Sequence, residues 1–155
     1  MEQKAYAKIN IVLDVVGKRE DGYHLLKMIM QTIDLYDTIK IKKINYGIKI
    51  NCNKEYVPTD ERNLAYKAAK LFMGTYNINS GVEIYIEKNI PVEAGLAGGS
   101  TDAAAAFFAL NKLFNNPLSA EQIELLCASL GSDLNFCLHG GTALCTGRGE
   151  KTKKI

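Results

Sequence analysis

Ile90-Pro91-Val92-Glu93-Ala94-Gly95-Leu96-Ala97-Gly98-Gly99-Ser100-Thr101-Asp102 is the stretch on which the fold turns. Before it, residues 81–88 alternate Val82, Ile84 and Ile86 against Glu83, Tyr85 and Glu87, which predicts a strand with one face in the core. After it, an alanine-rich apolar run extends to Phe114. That run is too long for a typical strand and rich in the best helix former, so it predicts a buried helix. The order is strand, glycine-rich loop, helix. Glycine permits positive φ and removes the Cβ, so backbone N–H groups can turn towards an anion. A helix start adds unpaired donors and the positive end of its dipole. Ser100 and Thr101 add two hydroxyls. The segment therefore reads either as a phosphate cradle or as a plain loop whose Ser100 caps the helix. It lacks the Gly-Lys-Ser/Thr of a Walker A loop and the Gly-x-Gly-x-x-Gly of a dinucleotide fingerprint.

Upstream, residues 5–16 alternate, with Ala5, Ala7, Ile9, Ile11, Leu13 and Val15 on the face predicted to enter the core. Residues 17–22 form a polar turn. Residues 23–33, 37–44 and 47–52 read as further extended segments. Leu64, Ala68, Leu71 and Phe72 mark a helix with Asn63 at its N-cap. Downstream, Ser119 and Gln122 form a capping box for a helix that stops at Gly131, Ser132-Asp133 can cap a short turn, and residues 142–146 read as a last strand. Strands come first and helices are mixed in later, which is α+β. No repeat or linker divides residues 1–155, so one domain is expected. The closing Lys151-Thr152-Lys153-Lys154-Ile155 carries no element signal and reads as an abrupt end.

Composition excludes several classes. Of 155 residues, 47% are apolar and 23% charged, with a formal net charge of +2, so neither disorder nor a strongly basic nucleic-acid tail is expected. The longest apolar run, Ala103 to Leu110, falls far short of the ~20 residues of a membrane span. With no leader-like pattern at Met1, the expectation is a soluble, cytoplasmic protein with no membrane partner. Cys52, Cys127, Cys137 and Cys145 form no CxxC pair and read as small buried hydrophobes rather than zinc ligands or a disulfide framework.

Five other residues bear on chemistry. Lys8 sits mid-strand on the same face as Asn10, and is either a wet-face lysine or a cleft-lining cation. Asp133 is either a helix cap or a cleft carboxylate. Tyr23 and His24 follow a turn, where they could stack on and hydrogen-bond a nucleobase, or simply pack as a tyrosine beside a surface histidine.

Together these segments resemble the GHMP kinase superfamily. Ala7-Lys8-Ile9-Asn10 is similar to its opening strand, Arg19-Glu20-Asp21-Gly22-Tyr23-His24 to an Arg-x-Asp-Gly-Tyr-His segment, and Asp60-Glu61-Arg62-Asn63-Leu64 to a helix start. Pro91 to Ala104 resembles its phosphate loop, and Leu130-Gly131-Ser132-Asp133-Leu134-Asn135-Phe136 a Gly-Ala/Ser-Asp-Val/Ile-Pro-Phe segment in which Asn135 replaces the usual proline. The resemblance implies the N-terminal domain of a GHMP kinase, similar to domain 2 of ribosomal protein S5, with the usual C-terminal domain absent. It also implies ATP-dependent phosphorylation of the 2-hydroxyl of 4-diphosphocytidyl-2-C-methyl-D-erythritol in isoprenoid precursor synthesis. Mg²⁺ would accompany ATP, and no side chain is assigned to it.

On that likeness, the loop from Pro91 to Thr101 would hold the ATP phosphates. Asp133 would take the attacking hydroxyl's proton, and Lys8 would pair with Asp133 and bridge to the same hydroxyl. Asn10 would line the same wall, and Tyr23 and His24 would recognise cytosine. The alternative is a non-catalytic nucleotide- or protein-binding module of the same fold. With no basic stripe, a nucleic-acid partner is not expected. A chain with one wall of a two-domain cleft would be expected to self-associate.

Overall fold

The computed structural model describes residues Met1–Ile155. Two long strands, β1 (Glu2–Lys18) and β2 (His24–Ile44), form an antiparallel hairpin that crosses the whole molecule. β3 (Ile48–Cys52), α1 (Leu64–Thr75) and β4 (Gly81–Glu87) follow as a unit in which β3 and β4 pair in parallel. Then come α2 (Gly98–Leu113), α3 (Ala120–Leu130), α4 (Leu134–His139), β5 (Thr142–Gly147) and β6 (Lys151–Lys154).

β2 organises the six-stranded sheet. Along one edge it pairs with β1. Along the other it pairs with β4 through residues 38–44 and with β5 through residues 26–31. Residues 23–33 and 37–44, read from the sequence as separate segments, are thus parts of one strand. Residues 151–154, which carry no element signal in the sequence, form β6 and pair with β5. Three of its four residues are lysine, which hid the strand from an apolar-alternation reading and suits an exposed edge.

The helices cover one face of the sheet. Ile39, Ile41, Ile50, Val82, Ile84 and Ile86 meet Phe72 of α1, Phe107 and Leu110 of α2 and Ile123 of α3 in the main core. Alanines at 65, 68, 69, 103, 106 and 109 let α1 and α2 approach closely. α2 is buried over most of its length, as its composition requires. A smaller core of Met28, Met30, Phe136, Ala143 and Cys145 seats α4 against β2 and β5. Asn63 caps α1 by accepting from Ala65 N, and the Ser119–Gln122 capping box is formed in both directions.

The alternation in β1 holds only near its start. Ala5 and Ala7 are buried, but Ile9, Ile11, Leu13 and Val15 are exposed, and so are Val12 and Val16. The expected core face therefore ends at Ala7. Beyond that point β2 still packs under α4 through Met28 and Met30, but these apolar side chains of β1 stand exposed.

Candidate active site

A break in strand register creates the site. The β1–β2 pairing shifts between Tyr6 and Lys8, a bulge that turns Ala7 and Lys8 both inward, at 0% and 5% exposure. Lys8 is therefore not on a wet face. Its Nζ lies 3.8 Å from Asp133 Oδ2 and 3.5 Å from Asn10 Oδ1. Its backbone N–H donates to Leu96 O at 3.1 Å, which ties β1 to the glycine-rich loop.

Asp133 opens α4 with helical backbone angles (φ −89°, ψ −13°), and its side chain makes no capping bond. The capping alternative fails on that geometry, and the carboxylate is left free to face Lys8. Asn135, in the next turn, donates through Nδ2 to Glu150 O, which fastens α4 to the turn between β5 and β6. The Cys137 thiol is pushed up to about 12, chiefly by burial and further by Asp133. It is an inert wall rather than a nucleophile.

The loop has the backbone of an anion nest. Glu93, Gly95 and Ala97 have φ of 56°, 75° and 59°, so every second residue is left-handed. α2 then starts at Gly98 with Ala97 as its N-cap and no side-chain cap, so the alternative in which Ser100 caps the helix fails. Thr101 N donates to Ala97 O, while the N–H groups of Gly98, Gly99 and Ser100 have no backbone acceptor. Gly95 takes the positive φ that the sequence reading asks of a glycine, but the glycines after it do not. Gly98 and Gly99 are helical, whereas the non-glycine Glu93 and Ala97 adopt positive φ. A Cβ on Gly98 would lie 2.9 Å from Lys88 Nζ and 3.2 Å from Ile90 Cγ2, so that glycine makes room for the interior beneath the loop.

That interior was not anticipated. Lys88 Nζ bonds Asp37 Oδ2 at 2.7 Å and Asp102 Oδ2 at 2.8 Å, with all three side chains at most 5% exposed. Asp37 Oδ1 also accepts from Asn89 N and Ile90 N, at the loop's entry. Burial by itself would lower the Lys88 pKa, but the Asp102 and Asp37 carboxyls override it and the net direction is up. A signal for this cluster existed. Period two places Asp37 on the face of Ile39 and Ile41, and Lys88 on the face of Ile84 and Ile86. Two charges thus fall on the core side of two strands.

Tyr23 and His24 stand elsewhere, at the far end of the hairpin. Lys8 registers with Thr32 and Lys18 with His24, eight residues along β2, or about 25 Å of strand. Both residues are exposed, and neither bonds to Lys8 or Asp133. The guanidinium of Arg148, unremarked in the sequence, lies 5.1 Å from the Tyr23 ring centroid. A concavity of about 670 Å³ lies on the outer sheet face. There Glu83 is already paired with Lys42 and Lys49, so it offers no free chemistry.

Comparison with known proteins fits this geometry. A 4-diphosphocytidyl-2-C-methyl-D-erythritol kinase of Clostridium botulinum (strain Alaska E43 / Type E3) is 66% identical over 155 residues, covering all of this chain and 55% of the relative. The Clostridium beijerinckii protein of the same name is 63% identical over the same shares. A crystal structure of 4-(cytidine 5'-diphospho)-2C-methyl-D-erythritol kinase superposes with a TM-score of 0.85 at 37% identity, over 100% of this chain and 55% of that one. Methanococcus jannaschii mevalonate kinase shares the fold at TM-score 0.76 and 20% identity, over 100% of this chain and 55% of its own. The chain thus spans about half the length of the curated relatives it matches. The family model for the GHMP kinases N terminal domain matches residues 63–141, from the cap of α1 to the end of α4. On these grounds the chain belongs to the GHMP kinase family, as its N-terminal domain.

Proposed function

We propose that this chain supplies the nucleotide-binding half of a kinase that moves the γ-phosphoryl group of ATP to the 2-hydroxyl of 4-diphosphocytidyl-2-C-methyl-D-erythritol. The observation that carries the proposal is the double attachment of Lys8. Its backbone holds the phosphate loop through Leu96 O, and its side chain faces Asp133. One residue thereby fixes the distance between a seat for phosphates and a general base. The names of the relatives supply the substrate class.

In the transfer step the substrate hydroxyl attacks the γ-phosphorus while Asp133 accepts its proton, and ADP leaves. The Lys8 ammonium faces the negative charge that gathers between hydroxyl and phosphorus. The phosphate oxygens rest on the free N–H groups of Gly98, Gly99 and Ser100, and on the left-handed turns at Glu93, Gly95 and Ala97. Phosphoryl transfer asks a protein mainly for such positioning and charge stabilisation. Mg²⁺ would come with the nucleotide and neutralise phosphate charge; the chain groups no three His, Cys, Asp or Glu side chains that would hold a metal by themselves. Asn10 keeps Lys8 aligned and lines the same wall. Tyr23, with Arg148 on one face of its ring and His24 beside it, offers the other face to the cytosine.

No helix is long and apolar enough to cross a membrane. The reading is tested by incubating a form extended to the relatives' full length with ATP and the cytidine-diphosphate substrate. Phosphorus NMR should show a new phosphomonoester on the 2-hydroxyl. Phosphorylation of mevalonate instead, or of no small alcohol, contradicts the proposal.

A further inference from the structure

The Asp37–Lys88–Asp102 cluster takes no part in the transfer step, yet its three ionisable side chains are all sealed in the interior. Its members come from the middle of β2, the residue after β4 and the second turn of α2, so it spans both ends of the phosphate loop. At the entry Asp37 holds the N–H groups of Asn89 and Ile90, at 2.6 and 2.8 Å. At the exit Lys88 holds Asp102 and packs beneath Gly98. Between these anchors lie Glu93 and Ala97, non-glycine residues in a strained left-handed conformation that persists only where the surroundings impose it.

The charge count is uneven, with two carboxyls around one ammonium. Asp37 accepts from three donors, two backbone N–H groups and the ammonium, with the Asp102 carboxyl as its other neighbour, so these contacts suit it as the carboxylate of the pair. Asp102 offers Oδ2 to Lys88, while its Oδ1 is buried without any partner. A second anion there would be unneutralised and half-solvated by nothing. Only Lys88, from the end of β4, and Asp37, from β2, face it as titratable groups; none of α2's own does. Burial, with Asp37 adding, pushes the Asp102 carboxyl well above the usual carboxylate range against the pull of Lys88.

We propose that Asp37, Lys88 and Asp102 are positioning residues that hold the phosphate loop in its strained, anion-ready shape, and that they act as an electrically neutral unit with Asp37 ionised and Asp102 protonated. A neutral anchor does not repel the nucleotide phosphates seated above it. The proposal rests on the reading of the loop as a nucleotide seat.

The test uses MgATP titration calorimetry and infrared spectroscopy on wild type, Asp102→Ala and Asp102→Asn. Wild type should show a carboxylic-acid C=O band that both variants lack. Asp102→Ala should weaken MgATP binding about tenfold or more, because Lys88 loses an acceptor. Asp102→Asn keeps a neutral group with that acceptor and should restore binding to within about twofold of wild type. No acid band, or an Asp102→Asn variant as weak as Asp102→Ala, overturns the neutral triad. If both variants bind like wild type, the cluster does not position the loop. Should wild type itself fail to bind MgATP, the nucleotide-seat reading falls, and the infrared band still decides the protonation state. If Asp102→Ala does not fold, Asp37→Asn takes its place, since its amide must set an N–H₂ against either the ammonium or the loop's N–H groups.

Discussion

Beneath the glycine-rich loop, between Ile90 and Asp102, three ionisable side chains lie sealed from water, whereas on the hairpin beyond Lys8 six apolar ones, Ile9, Ile11, Val12, Leu13, Val15 and Val16, stand in it. The two regions invert the usual sorting of residues. On the loop side the charges are inside because they pin a backbone that would otherwise relax. On the hairpin side apolar groups are outside because no element of this chain reaches over them. One wall of the site is internally complete, and the other is a surface for something to cover. A second copy of the chain is the occupant we infer when it stands alone, and weak nucleotide binding is expected of it because water reaches the phosphate seat from the open side.

The loop side should yield the largest effects. Lys88→Met strands an ionised carboxylate in the interior and is expected to cost about 3–5 kcal/mol, read as a denaturant midpoint shift. A near-neutral result would mean that the loop does not depend on its charges. Gly98→Ala should cost about 1–3 kcal/mol, because the new Cβ would lie 2.9 Å from Lys88 Nζ. Gly99→Ala meets nothing closer than Leu64 Cδ1 at 3.7 Å and should be neutral or stabilising. Thermal melts of the pair separate crowding beneath the loop from a general need for glycine.

A pH series probes the same wall more finely. The Asp102 pKa is raised on folding, so the folded chain keeps a proton that the unfolded chain releases above about pH 4. Wild-type stability is then highest below that value and declines as pH rises towards the folded pKa. Asp102→Asn lacks this term. Its stability relative to wild type should climb from pH 4 to pH 8, measured by urea unfolding at each pH; a flat difference means that Asp102 is ionised throughout.

The smallest stability effects should come from the hairpin. Ile11 and Leu13 are more than half exposed, so Ile11→Thr and Leu13→Thr should each shift stability by less than about 0.5 kcal/mol. The same substitutions should lower the mass seen by light scattering if copies associate through this face, since they make it less apolar. A strictly monomeric wild type would show that the apolar surface does not attract a second copy.

Much of this was legible in the sequence, for reasons that differ by element. The loop-to-helix junction, the caps at Asn63 and Ser119 and the strands of residues 81–88 and 142–146 follow from local chemistry, and the structure contains them. Lys8 and Asp133 were candidates whose alternatives only geometry could separate. A bulge has no period-two signature, so Lys8 could not be turned inward on paper. The fate of Asp133 depended on backbone angles at one residue. Burial of the distal hairpin was misjudged because alternation reports a strand and not what lies over it. Arg148 escaped notice because its partner Tyr23 is 125 positions away in the chain.

The most direct measurement of the central claim is the turnover of Asp133→Asn in a form extended to the relatives' full length, with MgATP affinity determined on the same sample. The Lys8–Asp133 pair beside the loop requires kcat to fall about 10²–10⁴-fold while MgATP binds as in wild type, because only the proton acceptor has been removed. A variant that turns over at the wild-type rate would show that Asp133 merely begins a helix, and the assignment of the general base would be wrong.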